Sequence, residues 1–253
     1  MGNNVSANTL FHFTKKKESL INILGNFFWP HYSEEAIGKR NDGELIKWYV
    51  PMICFCDIPL SQINNHILEY GKYAIGLSKE WGINEGISPI LYYHKNSLIF
   101  KSITSIKNEI AKFEKEPESN KIINYYIYQR LFLKQYEEPV VCRDKTIPIR
   151  RYDEREWRYI PAPEKLFAPT QLVLTEYKFK DKELVKDNCK KLRDEFTLKF
   201  SPNDIKYIIV ETENEILEMC KSIMDLKGST YSYDQLLILT TRVISTERIM
   251  QDF

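Results

Sequence analysis

Two short stretches, far apart in the chain, carry side chains able to do chemistry inside segments patterned as buried strands. One is Leu10-Phe11-His12-Phe13-Thr14. The other is Tyr152-Asp153-Glu154-Arg155-Glu156-Trp157-Arg158-Tyr159-Ile160. A polar group taken out of water costs free energy unless it is paired or used, so both stretches require an explanation. On a strand, His12 shares a face with Leu10 and Thr14, opposite the two phenylalanines. Two readings stay open there: a histidine hydrogen-bonded to a backbone carbonyl, or a fixed group gripping a ligand with Thr14 beside it. In the second stretch, alternation puts Glu154, Glu156 and Arg158 on one face, with Arg155, Trp157 and Tyr159 on the other. Glu156 and Arg158 fit an ion pair, which is worth little if exposed. They equally fit a carboxylate that orients a ribose hydroxyl or stabilises a developing cation.

Other chemistries are poorly served. Cys54-x-Cys56 has no cysteine or histidine partner at zinc-binding spacing, and His31, His66 and His94 form no ligand pair, so no metal site is expected. On a strand both thiols point to one face, where they pack as small apolar groups. The sequence holds no Gly-x-Gly-x-x-Gly, no Walker loop, no nucleophile elbow and no kinase signature. The five cysteines lack a disulfide-framework spacing, so a reduced cytoplasmic protein is the expectation. No apolar run approaches the length of a membrane span, and the first residues lack the regions of a signal peptide. Gly2 and Ser6 match the loose myristoylation pattern, a short match that arises readily by chance. Lys and Arg number 36 against 35 Asp and Glu, which gives no global attraction to nucleic acid.

The elements that must position these residues follow from periodicity and punctuation. Strands are expected at 9–14, 52–56, 73–77, 89–93, 156–160, 172–177 and 205–210, the last being the clearest buried strand. Helices are expected at about 16–26, 61–70, 181–193 and 213–226, with a final amphipathic segment over 233–251. Ser61 is the expected N-cap and Gly71 the stop of the second helix. Residues 27–48, with Gly38 and the Asn41-Asp42-Gly43 turn signal, read as a loop or lid. Residues 98–137 read as two amphipathic helices joined near Pro117, inserted into a sheet domain. Without regular βαβ alternation the class is α+β, in one domain over 1–253 with a helical insertion at about 98–137.

The order of these pieces resembles the AbiGi family of abortive phage resistance proteins. It is carried by Leu10–Thr14 with Leu20–Leu24, then Val50–Ser61 and Tyr70–Leu77. Glu154–Arg158, Ile208–Val210 and Thr241–Ser245 complete it, so the resemblance spans nearly the whole chain. AbiGi proteins are labelled as the antitoxin of a two-gene system, which implies a partner toxin and binding in place of catalysis. More remotely, the layout is similar to the ADP-ribosyltransferase fold of DarT-like enzymes, which implies a mixed, split β-sheet core with C-terminal helices. That likeness implies NAD as substrate and ADP-ribose transfer to a nucleic-acid or protein acceptor. His12 and Thr14 would hold NAD, Phe55 or Tyr73 would stack near the nicotinamide, and Glu156 would be the catalytic carboxylate. No residue matches the second, NAD-clamping tyrosine of those enzymes.

Overall fold

Apolar residues at strand period, punctuated by glycine and by side-chain caps, set the elements of this chain. The computed structural model describes residues 6–39, 43–110, 119–142, 145–167 and 172–252. In chain order it begins with β1 (Thr9–Thr14), α1 (Lys17–Asn26), β2 (His31–Lys39), β3 (Leu45–Cys56), α2 (Asn64–Tyr70), β4 (Tyr73–Ser78) and α3 (Lys79–Asn84). Next come β5 (Ser88–Pro89), β6 (Leu91–Tyr93), α4 (Leu98–Ile110), α5 (Ser119–Arg130), β7 (Leu133–Gln135), β8 (Glu137–Cys142), β9 (Lys145–Arg150) and β10 (Glu156–Tyr159). The rest is α6 (Pro163–Leu166), β11 (Leu174–Thr175), α7 (Glu176–Phe179), α8 (Lys182–Glu195), β12 (Ile205–Val210), α9 (Ile216–Lys227), α10 (Tyr233–Thr240), β13 (Val243–Ser245) and α11 (Thr246–Asp252). The chain is therefore mixed α and β, as its pattern indicates. Among the described residues no helix is long and apolar enough to cross a membrane.

Two compact units emerge, each assembled from separated stretches of chain. The first takes Met1–Trp29, Cys54–Ser88 and Thr197–Phe253. In its mixed sheet β1 and β12 run antiparallel to β4 on either side, and β13 lies parallel to β12. Register sets Leu10 opposite Leu77, His12 opposite Ile75 and Thr14 opposite Tyr73, so these six share one face. That face meets α1 and α3; a Cβ added at Gly82 of α3 would stand 2.5 Å from Leu10 Cδ1. The other face presents Phe11, Cys56, Ala74 and Ile209, packed against Ile63, Ile67 and Ile249 of the flanking helical segments. Burial pushes the Cys56 thiol well above its ordinary value, as suits a core residue. Gly71 closes α2 at φ 124°, a conformation that only glycine adopts readily.

The second unit takes Pro30–Ile53 and Pro89–Phe196. Here the structure departs from the expected loop or lid: β2 and β3 form a long antiparallel pair from His31↔Met52 to Lys39↔Leu45, with a register shift between Ala36 and Gly38. The alternation was hidden because both faces of β2 carry polar residues that are paired. Tyr32 is turned to α7 and α8, where its hydroxyl accepts from Asn188 and burial pushes its phenol up to about 12. Tyr49 stacks on Phe179 at 3.8 Å between centroids. The expected strand over 172–177 shrinks to β11 because the Thr175 hydroxyl accepts from the Lys178 N–H and starts α7. Two further helices, α4 and α5, occupy much of 98–137; Pro117 and the Asn41-Asp42 turn lie outside the described residues.

Candidate functional site

Within the first unit, β1 holds His12 on the sheet face shared with Thr14 and Tyr73. The His12 Nδ1 lies 2.8 Å from the Cys54 carbonyl, a contact that places the proton on Nδ1. Its ring meets Phe28 edge-on at 5.1 Å and Phe55 at 5.7 Å, and Phe55 in turn meets Trp81. His12 and Phe55 are thus brought together in an aromatic cluster. Thr14 turns its hydroxyl to the Lys16 carbonyl at 2.9 Å. Tyr73 directs its hydroxyl to Glu215 at 3.0 Å, with Glu211 at 3.3 Å, and burial raises its phenol further than either carboxylate does. The four residues expected to hold NAD are therefore one set by sheet face. They divide into a ring contact (His12 with Phe55) and a cross-strand pair (Thr14 with Tyr73).

Glu156 belongs to the second unit and sits at the centre of a buried ionic network. Glu154, Glu156 and Arg158 are 8%, 8% and 2% exposed, so an open surface ion pair is excluded. Arg158 Nε donates to Glu156 Oε1 at 2.6 Å and its Nη2 to Oε2 at 3.1 Å, the two-pronged geometry a guanidinium favours. The same Nη2 lies 3.0 Å from Glu35 on β2, and Nη1 donates to the Leu131 carbonyl at 2.7 Å. Lys134 on β7 then reaches Glu156 at 3.1 Å and Glu154 at 2.5 Å, and Arg151 closes on Glu154 at 2.9 Å. Charges alternate along the chain Glu35, Arg158, Glu156, Lys134, Glu154, Arg151.

Backbone geometry builds this network. Strand alternation carries Glu156 and Arg158 to the same side of β10, as expected. Glu154 arrives by a different route, from a 3-10 turn over Arg151–Glu154. Arg155 follows in the left-handed region at φ 42°, an uncommon conformation for a non-glycine residue, and lets Glu154 and Glu156 reach the same lysine. The Tyr92 hydroxyl accepts from the Glu156 N–H at 3.0 Å.

Burial works against the Lys134 charge, but Glu156 and Glu154 more than offset it and hold the ammonium above its ordinary value. Glu35 behaves differently. Burial raises its carboxyl, Glu156 adds to the rise, and the attraction of Arg158 only partly opposes them. Chemically, both Glu156 oxygens are taken by cationic donors, which fixes the carboxylate in place. Sequence reasoning found Glu154, Glu156 and Arg158 but missed Lys134, Arg151 and Glu35. A single lysine after the apolar Leu131-Phe132-Leu133 was the available signal for Lys134; Glu35 left none. Among the described residues no group of three or more His, Cys, Asp or Glu is placed to hold a metal ion.

Comparison with known proteins gives two matches. The family model provisionally described as abortive phage resistance protein AbiGi, antitoxin, matches residues 26–211. The chain is also 28% identical, over 89% of its length and 99% of the relative's, to the abortive phage resistance protein AbiGi of Lactococcus lactis subsp. cremoris. No solved structure matches the chain.

Proposed function

We propose, from the premise that this chain belongs to the AbiGi family of abortive phage resistance, that it serves phage defence as a binding protein that sequesters a partner toxin. The supporting observation is α4. Its isoleucines recur at 99, 103, 106 and 110, the spacing of one helix face, yet it has no buried residue. Leu98 and Ile106 stand 81% and 46% exposed, and Ile122 on α5 is also exposed. Apolar side chains clustered in this way mark interaction surfaces. The closed ionic network supports the same reading, since Glu156 is already spoken for by Arg158 and Lys134. Co-expression with the product of the neighbouring gene tests it: a complex should form. Ile99→Glu combined with Ile106→Glu should weaken that complex at least about tenfold while leaving the fold intact. A double variant that binds like wild type removes α4 from the interface.

A second reading keeps the expected chemistry: transfer of ADP-ribose from NAD to a nucleic-acid or protein acceptor, with Glu156 catalytic and His12, Thr14, Phe55 and Tyr73 holding the dinucleotide. One observation favours it, the common sheet face of those four residues. For Glu156 to act, Arg158 and Lys134 must remain its partners while it faces the ribose. Labelled NAD with lysate or phage nucleic acid decides the matter. Transfer that disappears in Glu156→Gln supports this reading, and an absence of transfer by wild type removes it.

A further inference from the structure

Lys227, the last residue of α9, is a buried amine to which the readings above assign no task. It is 8% exposed, and its ammonium donates to the Gly25 carbonyl at 3.1 Å, in the last turn of α1. Two rings flank it, with centroids 4.4 Å away at Phe27 and 5.7 Å away at Tyr231. Among the described residues no carboxylate pairs with it. Arg158, Lys134 and Lys79, by contrast, each hold a carboxylate. Phe27 and Tyr231 also line a groove of about 820 Å³, together with Trp81 and Phe200. We propose that Lys227 Nζ is a reactive amine that condenses with a small planar aldehyde, whose body lies in this groove.

The chemistry follows from what surrounds the nitrogen. A buried ammonium without a counter-charge is disfavoured, and burial lowers the Lys227 pKa. Lysines in such places serve as nucleophiles because the neutral amine is then populated nearer to neutral pH. Methionine would fill the same space without the desolvation cost, so packing does not account for the amine. The Gly25 contact uses one N–H and leaves the lone pair of the neutral amine to an electrophile. In the step proposed, that lone pair forms a bond to the aldehyde carbon while the C=O π pair moves to oxygen. Proton transfer from nitrogen to oxygen gives a carbinolamine. Loss of its hydroxyl, protonated by solvent, releases water and leaves a C=N bond. No oxidant or reductant is required.

The product also chooses the class of electrophile. A protonated imine keeps one N–H for the Gly25 carbonyl and a positive charge for the Phe27 and Tyr231 rings. Acylation would keep the N–H but erase the charge that those rings hold. A planar conjugated aldehyde adds a flat face for the aromatic wall of the groove.

This reactive amine belongs to the first unit alone and is independent of both readings of the preceding section. The test incubates the full chain with benzaldehyde and sodium cyanoborohydride at neutral pH, which fixes any imine as a benzylamine. Peptide mass spectrometry then maps the adducts. Lys180 and Lys186, with side chains 72% and 77% exposed, are the comparison. Lys227 should be modified at least about fivefold faster than either. In concentrated urea that preference should vanish. A lysine that only clamps the end of α1 would instead be the slowest of the three, because it is buried. Lys227→Arg supplies the charge and a donor but cannot form an imine. Its circular dichroism should match wild type, and the fast adduct should be lost. Lys227 no faster than the exposed lysines, a preference that survives urea, or a fast adduct that persists in Lys227→Arg each overturns the proposal.

Discussion

Replacing Arg158 by methionine tests the ionic network at its most connected point. The side chain is 3% exposed and holds Glu156 at 2.6 and 3.1 Å, Glu35 at 3.0 Å and the Leu131 carbonyl at 2.7 Å. Methionine fills similar space but leaves the buried Glu156 and the half-buried Glu35 short of a cation, Glu156 with Lys134 still beside it. Stripping one partner from a buried pair costs about 3–5 kcal/mol. For a chain of this size that lowers the melting temperature by about 10 °C. The triple variant Glu35→Gln, Glu156→Gln, Arg158→Met removes the stranded charges as well and should recover most of the loss, because an uncharged, well-packed replacement is close to neutral. Lys134 keeps Glu154 throughout.

The pH dependence follows from Glu35. Its carboxyl is raised by burial and Glu156, with Arg158 opposing; without Arg158 it rises further. A carboxyl raised on folding contributes stability that is fully present below its unfolded value, about 4.3, and is lost as pH climbs through the folded value. The deficit of Arg158→Met should therefore be largest at pH 7 and shrink towards pH 4. Urea denaturation followed by circular dichroism and by tryptophan fluorescence measures both effects. Three results refute the reasoning: a single variant within about 1 kcal/mol of wild type, a triple variant no better than the single, or a deficit that grows on acidification.

Two further outcomes concern Lys227 and Gly71 of the first unit, with Gly43 of the second as the comparison. Lys227 is buried, its ammonium 3.1 Å from the Gly25 carbonyl in the last turn of α1, and burial lowers its pKa. The unfolded chain then binds the extra proton between that lowered value and about 10.5, so wild-type stability rises with pH across this window. Lys227→Met should match or exceed wild type at pH 7, and denaturation curves should show its advantage shrinking towards pH 10.5. Gly71→Ala would add strain at φ 124° and drive its Cβ into the Thr14 carbonyl, with Lys15 Cα at 2.7 Å. It should cost at least about 3 kcal/mol in thermal denaturation, whereas Gly43→Ala, at φ 90° with nothing within 4 Å, should cost about 1 kcal/mol.

The sequence announced what depends on neighbours and hid what depends on distance. β1 and β12 are legible because uninterrupted β-branched and aromatic residues alternate across two packed faces. α8 is legible because Asp181 caps it, accepting from the Leu184 N–H. β13, three residues long, is too short for periodicity to register; its parallel pairing with β12, from Ile208↔Val243 to Val210↔Ser245, defines it. Residues 27–48, which hold β2 and the start of β3, read as a loop because the polar residues of β2 find partners far away: Tyr32 at Asn188, Glu35 at Arg158; the end of β3 at 52–56 is legible as a strand. At the site, Glu156 and Arg158 were visible as neighbours two apart, while the charges that complete their network lie elsewhere in the chain. The His12 partner is a backbone carbonyl, which leaves no trace in residue type. Of its two open readings, that contact supplies the first, and the ring contacts with Phe28 and Phe55 keep the second in view.

The interleaving of the two units bears on how this protein is made. β4 emerges from the ribosome early, yet the strand on one side of it, β12, is synthesised more than a hundred residues later. Until then Ala74, Ile75 and Leu77 present an unpaired apolar edge, the kind of segment that recruits wrong partners. The stretches of the second unit all precede β12, so its sequence is complete while the first still waits. Such long-range pairing slows folding, and a chain cut short before residue 205 leaves β4 open on that side. For this family member, the first unit closes only after every stretch of the second has been synthesised.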